Sequence, residues 1–211
     1  MRTRIKICGL TRIEDALAAA RLGADAIGLV FVEQSPRRIE VAAAAEIVRV
    51  LPPFVASVAL FVNPTSSQVG EVLERVRPGL LQFHGEETAT FCASFGVPWL
   101  KAIRVRPDTD LLQCATDFHG AVGLLLDAYS PAAHGGTGHR FDWSLIPADL
   151  PLPVVLAGGL DPGNVAAAVR QARPWAVDVS SGVESARGIK DATRMAAFIE
   201  EVKHADVSNG P

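Results

Sequence analysis

Eight short runs of apolar residues recur along the chain, separated by segments with helical spacing. The runs are rich in Val, Ile, Leu and Phe, and Gly, Pro or a polar residue bounds each of them. Their first residues lie 20 to 31 positions apart, which is room for one short strand, one helix and two loops. We interpret the runs as strands buried on both faces. They cover residues 4–7, 25–31, 54–61, 79–83, 99–103, 122–127, 153–157 and 175–179.

Strands joined in this way by crossover helices must be parallel. Eight strand-and-helix units close into a (β/α)₈ barrel, or TIM barrel. The alternative is an open doubly wound sheet, which usually carries a glycine-rich fingerprint after its first strand, where this chain has CGLT. We predict one barrel domain over residues 1–204 and a frayed tail over 205–211. The helical segments cover 13–24, 41–51, 66–76, 87–96, 164–172 and 191–203.

Composition limits the class of protein further. The chain has 211 residues, of which 49% are apolar, and this content excludes a disordered chain. Scattered basic residues and a net charge of −3 argue against a nucleic-acid partner. The charged start, residues 1–10, does not resemble a secretory signal, and the longest apolar run, 50–62, is too short for a membrane span. We therefore expect a cytoplasmic protein with a small-molecule substrate, either a monomer or a homodimer.

The cysteine and histidine residues indicate neither disulfides nor a metal. Three cysteines without paired spacing argue against a disulfide framework. His134 and His139 have ligand-like spacing, but no cysteine or carboxylate pattern accompanies them, so we predict no metal site. Cys92 lies in a helical stretch and Cys114 follows an apolar pair, and we expect both to be packing residues.

The candidate site lies where the predicted strands end, because a barrel builds its active site at their carboxyl ends. Polar side chains and glycines occur at most of these positions. We expect them to surround one common cavity. They are Cys8, Arg37, Arg38, Gln82, His84, Arg104, Asp127, Gly158, Gly159, Asp178, Ser180, Ser181 and Gly182.

The loops after the seventh and eighth strands indicate a phosphate site. Gly158 and Gly159, and then Ser181 and Gly182, offer unhindered backbone N–H groups to an anion. Barrels often hold phosphate at these two loops. The alternative is that the glycines form tight turns and nothing more.

Cys8 and Asp127 are the candidates for acid–base chemistry. A thiol at the end of the first strand can act as a base if its surroundings favour the thiolate. Asp127 follows an apolar run, and partial burial would let it donate a proton near neutral pH. The alternatives are that Cys8 is a small core residue and that Asp127 caps a loop.

The glycine-rich stretch 129–141 follows the sixth strand. Its position excludes a dinucleotide fingerprint, which would follow the first strand and open a helix. We predict a mobile lid that closes over substrate, with a flexible surface loop as the alternative.

Nine motifs occur in order along the chain. They are KICGLT (6–11), GADAIGLVF (23–31), SPRRI (35–39), FVN (61–63), QFHGEE (82–87), LLLDAY (124–129), HGGTGHRFDW (134–143), LAGGLDPGNV (156–165) and VDVSSGVE (177–184). Together they resemble the phosphoribosylanthranilate isomerase family of tryptophan biosynthesis, over residues 4–203. The pairing of KICG near the start with VDVSSGVE near the end is the most specific part of the likeness.

The resemblance implies an activity and the residues that carry it. The family converts N-(5′-phosphoribosyl)anthranilate into 1-(2-carboxyphenylamino)-1-deoxyribulose 5-phosphate by an Amadori rearrangement, without a metal or cofactor. It implies that Asp127 is the acid that opens the ribose ring and Cys8 the base that removes the C2′ proton. It further implies that Arg37 pairs with the anthranilate carboxylate, and that Asp178 orients that arginine or contacts the substrate amine. The phosphate would rest on Gly158, Gly159, Ser181 and Gly182, with His84 among the substrate-binding residues.

Three positions depart from the family's usual pattern. Arg38 stands where an aromatic residue is common, QFHG replaces QLHG at 82–85, and His139 with Arg140 replaces a lysine and a small polar residue. Because of the first departure, either Arg37 or Arg38 could contact the carboxylate.

Alternative functions would require other residues. A ribulose-phosphate epimerase needs a metal cluster, and an indole-glycerol-phosphate synthase needs a lysine and glutamates near the reacting ring. Lys6 shares the inward face with Cys8 if the first strand is regular. A phosphosugar sensor on the same barrel would keep the glycine loops without needing Cys8 and Asp127 together.

Overall fold

A computed structural model describes residues 2–128 and 142–208, and it contains the predicted barrel. Eight parallel strands pair in sequence order, and the first closes onto the eighth. Each strand overlaps one of the predicted apolar runs, so the predicted fold is confirmed. The strands are β1 (Arg4–Cys8), β2 (Ala26–Val30), β3 (Ala56–Phe61), β4 (Leu80–Phe83), β5 (Trp99–Val105), β6 (Gly123–Ala128), β7 (Val154–Leu156) and β8 (Ala176–Val179).

The helices cover the outside of the barrel. Gly23 ends the first helix in the left-handed conformation, with φ +107°, as its position in the sequence predicts. The fifth helix, of seven residues, is absent from the predicted segments; Asp110 caps it by accepting from the N–H of Gln113. The helices are α1 (Ile13–Leu22), α2 (Val41–Val50), α3 (Ser66–Arg75), α4 (Ala89–Ala93), α5 (Leu111–Asp117), α6 (Val165–Ala172) and α7 (Ala192–Ser208).

Two connections differ from the predicted strand-and-helix units. Between β6 and β7, the described residues contribute a single 3₁₀ turn at Trp143–Leu145. The predicted lid, 129–141, lies outside the described residues. After β8, a 3₁₀ turn at Ser181–Val183 leads into an antiparallel hairpin of β9 (Glu184–Ala186) and β10 (Ile189–Lys190), which the sequence did not predict.

The last helix corrects the predicted start of the tail. α7 continues to Ser208, and Ala205 is fully buried against the core. The carboxylate of Asp206 accepts hydrogen bonds from the backbone N–H and the hydroxyl of Thr3, both at 2.7 Å. A frayed tail from residue 205 is therefore wrong for residues 205–208, and 209–211 lie outside the described part. None of the helices described is both long and apolar enough to span a membrane.

The two-residue period of the strands separates an outer core from the barrel interior. In β1, Ile5 and Ile7 pack outward against the helices, whereas Lys6 lies buried on the opposite face. In β6, Leu124 and Leu126 contact the helical layer, and Leu125 packs inside the barrel. Residues two positions further along the inward faces reach the carboxyl ends of the strands. This alternation brings Cys8, Gln82, His84, Asp127 and Asp178 to one cavity.

Candidate active site

A cavity of about 560 Å³ opens at the carboxyl ends of the strands. It has a polar floor and one apolar side. Eight of the nine residues to which the family resemblance assigns a role line it. They are Cys8, Arg37, His84, Asp127, Gly158, Gly159, Asp178 and Ser181.

Gly182, the ninth predicted residue, does not line the cavity. It packs against the loop after β7 so closely that a Cβ would lie 2.0 Å from the carbonyl oxygen of Leu160. A glycine is therefore required for the loops after β7 and β8 to approach each other. Its predicted contact with phosphate stays a prediction.

The loop after β7 places Gly158 and Gly159 in the cavity lining. Gly158 has φ +85°, and a Cβ there would lie 2.9 Å from Oδ1 of Asp127, so a side chain would both strain the backbone and strike the carboxylate. Within residues 2–128 and 142–208, the N–H groups of Gly158 and Gly159 donate to no protein acceptor. Asn164 fixes the loop by donating from Nδ2 to the carbonyl of Gly159 at 2.9 Å.

The thiol of Cys8 lies at the cavity floor with 5% of the residue exposed. Burial raises the pKa of Cys8 above its ordinary value, and the ammonium of Lys6 lowers it in part. The net direction is upward, so the thiol is the resting form near neutral pH. Val30 and Leu60 pack beside the thiol and give this side of the cavity its apolar character.

A buried ion pair joins Asp178 to Lys6, whose Nζ donates to Oδ1 at 2.8 Å. Burial lowers the pKa of Lys6, but Asp178 and Cys8 raise it, and the net direction is upward. Lys6 therefore remains an ammonium beside the thiol. Asp178 makes this pair with Lys6, whereas the carboxylate partner of Arg37 is Glu184. The alternative, that Asp178 contacts the substrate amine, stays a prediction. β1 is regular, so Lys6 and Cys8 share the inward face.

The structure separates the two candidate arginines. Arg37 lines the cavity, and its Nε and Nη2 donate to Oε1 and Oε2 of Glu184 at 2.7 and 2.8 Å. Arg38 is exposed and pairs with Glu40 at 3.0 Å, away from the cavity lining. The geometry therefore favours Arg37 as the residue that meets a bound anion.

Asp127 lies beside two polar residues of β4 and its loop. Nε2 of His84 is 3.2 Å from Oδ2 of Asp127, and Nδ1 of His84 is 3.3 Å from the amide nitrogen of Gln82. Among the described residues, Nε2 of His84 and Oε1 of Gln82 are buried without a hydrogen-bond partner. Both atoms are available to polar groups of a substrate.

A second buried ion pair holds the loop that carries His84. Nζ of Lys101 donates to Oε2 of Glu87 at 2.7 Å and to the carbonyl of Gly85 at 2.5 Å. The same carboxylate accepts from the backbone N–H of Gly85 and of Asn63. This pair was not predicted, although a lysine within the apolar run WLKAI (99–103) is a signal for it.

The other cysteines lie away from the cavity. Cys92 is fully buried in the core, which raises its pKa to about 11, and its predicted packing role is confirmed. Cys114 is half-buried on α5 and packs against a second apolar cluster. Within the described ranges, no three His, Cys, Asp or Glu side chains are placed to hold a metal ion.

Comparison with known proteins agrees with the resemblance stated above. A sequence profile of one family, described as N-(5′-phosphoribosyl)anthranilate (PRA) isomerase, matches residues 5–201. The chain belongs to this family. It is 60% identical over 203 residues to the PRA isomerase of Thiobacillus denitrificans, covering 96% of this chain and 99% of the relative. It is 58% identical over 200 residues to that of Pseudomonas aeruginosa, covering 95% of each.

Solved PRA isomerases share the architecture. The crystal structure of the enzyme from Thermotoga maritima has a TM-score of 0.89 to this chain at 40% identity, covering 96% of this chain and 99% of that one. A PRA isomerase in complex with reduced 1-(o-carboxyphenylamino)-1-deoxyribulose 5-phosphate has a TM-score of 0.85 at 39% identity, with the same coverage. Another structure is described as monomers generated from the dimeric Thermotoga maritima enzyme.

Proposed function

We propose that this PRA isomerase family member converts N-(5′-phosphoribosyl)anthranilate into 1-(2-carboxyphenylamino)-1-deoxyribulose 5-phosphate by general acid–base catalysis. Asp127 is the acid and Cys8 is the base. The observation that carries this assignment is their placement. They end β6 and β1, which lie three strands apart around the barrel, and both line one cavity. A ribose ring between them would meet an acid and a base on different sides.

The cavity has a place for each part of the substrate. The phosphate fits the free N–H groups of Gly158 and Gly159, and the anthranilate carboxylate fits the guanidinium of Arg37. The aromatic ring then lies along an apolar wall next to Arg37 and Cys8. This wall consists of Val30, Val32, Leu60 and Val62.

Ring opening is the first chemical step. Protonated Asp127 gives its proton to the ribose ring oxygen, the bond from C1′ to that oxygen breaks, and the nitrogen lone pair forms a Schiff base. Nε2 of His84 lies 3.2 Å from the Asp127 carboxylate and has no hydrogen-bond partner among the described residues, so it is placed to bind the hydroxyl that ring opening creates.

Proton removal from C2′ is the second step. The thiolate of Cys8 takes the proton, and the electron pair moves through C1′ to neutralise the Schiff-base nitrogen, giving an enolamine. The enolamine becomes the ketone when C1′ gains a proton and the C2′ hydroxyl loses one. The cationic Schiff base and the ammonium of Lys6 both favour the thiolate, which offsets the effect of burial on Cys8.

Turnover tests the proposed function. Purified protein should consume N-(5′-phosphoribosyl)anthranilate with loss of anthranilate-type fluorescence, and no metal need be added. The same preparation should bind reduced 1-(o-carboxyphenylamino)-1-deoxyribulose 5-phosphate. Tight binding of this compound without turnover would contradict the proposal and favour a phosphosugar sensor.

A further inference from the structure

Arg37 belongs to a cluster of three charged side chains, with Glu184 and Lys190 as the other members. The proposed chemical steps do not use Glu184 or Lys190. Glu184, at the start of β9, accepts two hydrogen bonds from Arg37, and Oε1 also accepts from Nζ of Lys190 at 2.8 Å. The side chains of Glu184 and Lys190 are 6% and 0% exposed. Arg37 and Glu184 are 147 positions apart in the chain. Burial of three charged side chains costs free energy, so we expect the cluster to serve a function.

The guanidinium of Arg37 has two edges that can bind a carboxylate with paired hydrogen bonds. Glu184 occupies the edge formed by Nε and Nη2. The other edge, formed by Nη1 and Nη2, keeps three of the five N–H donors. A planar group held at one edge presents the second edge in a fixed direction. The stem of Arg37 is also confined, since a Cβ on Gly9 would lie 2.5 Å from its Cδ.

We propose that Glu184, itself held by Lys190, is the positioning residue that makes this site selective for an aromatic amine bearing an ortho carboxylate. It aims the free edge of Arg37 at the carboxylate. The inference rests on the proposed function, in which Arg37 binds that group. In the proposed mechanism, Glu184 touches neither the substrate nor the reacting atoms, and it acts through Arg37.

The charges of the cluster are consistent with this role. Burial lowers the pKa of Lys190, and Glu184 offsets this in part. With Lys190 protonated, the two cations and one carboxylate leave one net positive charge beside the cavity. The carboxylate of the substrate neutralises it, whereas an uncharged amine substituent leaves it uncompensated. Burial raises the pKa of Glu184, but the hydrogen bonds from Arg37 and Lys190 outweigh this, so its pKa lies below the ordinary value. Glu184 therefore stays ionised at neutral pH.

Lys190 also connects the cluster to the loop after β8. Its Nζ donates to the backbone carbonyl of Ser180 at 3.0 Å, directly before Ser181 in the cavity lining. The hydroxyl of Ser180 donates in turn to the backbone carbonyl of Cys8 at 3.0 Å. The proposed carboxylate site, the loop after β8 and the proposed base thus share one hydrogen-bonded frame.

The test is selectivity in binding. The probes are reduced 1-(o-carboxyphenylamino)-1-deoxyribulose 5-phosphate and the same compound without its carboxyl group, with the Kd of each measured by calorimetry. In the unchanged protein, the carboxylated probe should bind about 10- to 100-fold more tightly. Glu184→Gln keeps the size of the side chain but loses one acceptor. It should bring the ratio of the two Kd values much closer to one and change the Kd of the decarboxylated probe little. Glu184→Asp should keep part of the selectivity that Glu184→Gln loses.

Matched variants separate selectivity from stability. Asp25 also accepts from an arginine, Arg2, and its pKa is also lowered, but it lies at the opposite end of the barrel. Asp25→Asn should lower the melting temperature without changing the selectivity ratio. Arg37→Ala should abolish the ratio, and Arg38→Ala should preserve it.

The outcomes distinguish the inference from the function on which it rests. If Glu184→Gln keeps or increases the ratio while Arg37→Ala abolishes it, Glu184 is not the positioning residue and the carboxylate site stands. If Arg37→Ala keeps the ratio, the carboxylate site itself is wrongly placed. A fall in affinity for both probes by the same factor in Glu184→Gln would show a structural role alone and overturn the inference.

Discussion

Replacement of Asp127 by asparagine should lower kcat by about 10²- to 10⁴-fold, the usual contribution of a general acid or base. Asparagine has nearly the same shape, so it should fit beside Gly158 and His84, but its amide cannot supply the proton that opens the ribose ring. Steady-state turnover, followed by the loss of substrate fluorescence, measures the effect. The melting temperature should change by a few degrees at most.

Asp110→Asn is the matched control for this variant. Asp110 lies in the loop after β5, caps α5 by accepting from the N–H of Gln113 at 2.9 Å, and does not line the cavity. Asparagine caps helices as well as aspartate does, so kcat should remain near normal. Near-normal kcat in Asp127→Asn as well would show that another group protonates the ring oxygen.

Replacement of Cys8 by serine should reduce kcat by a similar factor, about 10²- to 10⁴-fold. The hydroxyl has a far higher pKa than a thiol, so the anion that accepts the C2′ proton is almost absent at neutral pH. Serine is smaller than cysteine and leaves the barrel interior intact. Affinity for the reduced product analogue should therefore change much less than kcat does.

The other cysteines provide controls on the same chain. Cys114→Ser, at a half-buried position on α5, should leave both kcat and the melting temperature nearly unchanged. Cys92→Ser places a hydroxyl in the core and should lower the melting temperature while sparing kcat. Retention of normal kcat by Cys8→Ser would refute the assignment of Cys8 as the base.

Much of the site could be predicted because the place of a residue along its strand determines where it lies in the barrel. The apolar runs set the strands, and the two-residue period decides which side chains point inward. Cys8, His84, Asp127 and Asp178 could therefore be assigned to one cavity from their places at strand ends. The glycine pair 158–159 was equally predictable, since the loop after β7 has a known place in the fold.

Pairings between distant residues could not be predicted in this way. Nothing local in the sequence shows that Glu184 holds Arg37 or that Asp178 pairs with Lys6, because several carboxylates at the same end of the barrel were equally plausible partners. The sequence likewise does not show that Gly182 lies so close to Leu160 that only a glycine fits there. Such choices depend on loop packing, which forms only when the barrel closes.

The pH dependence of kcat/KM tests most directly the claim that the Cys8 thiolate is the base. This quantity reports ionisations of the free enzyme, and the active thiolate becomes more abundant as pH rises. Burial and Asp178 raise the pKa of Cys8, while Lys6 and Lys190 lower it, with a net upward direction from the ordinary value of 9.0. The proposed mechanism also needs protonated Asp127, which is lost as pH rises and opposes the gain in thiolate in the unchanged protein. The test therefore uses Asp127→Asn, whose residual kcat/KM should still be rising at pH 9.0. The double variant Asp127→Asn with Cys8→Ser should lack this rise. The same alkaline rise in both variants, or a flat profile in Asp127→Asn, would contradict the assignment.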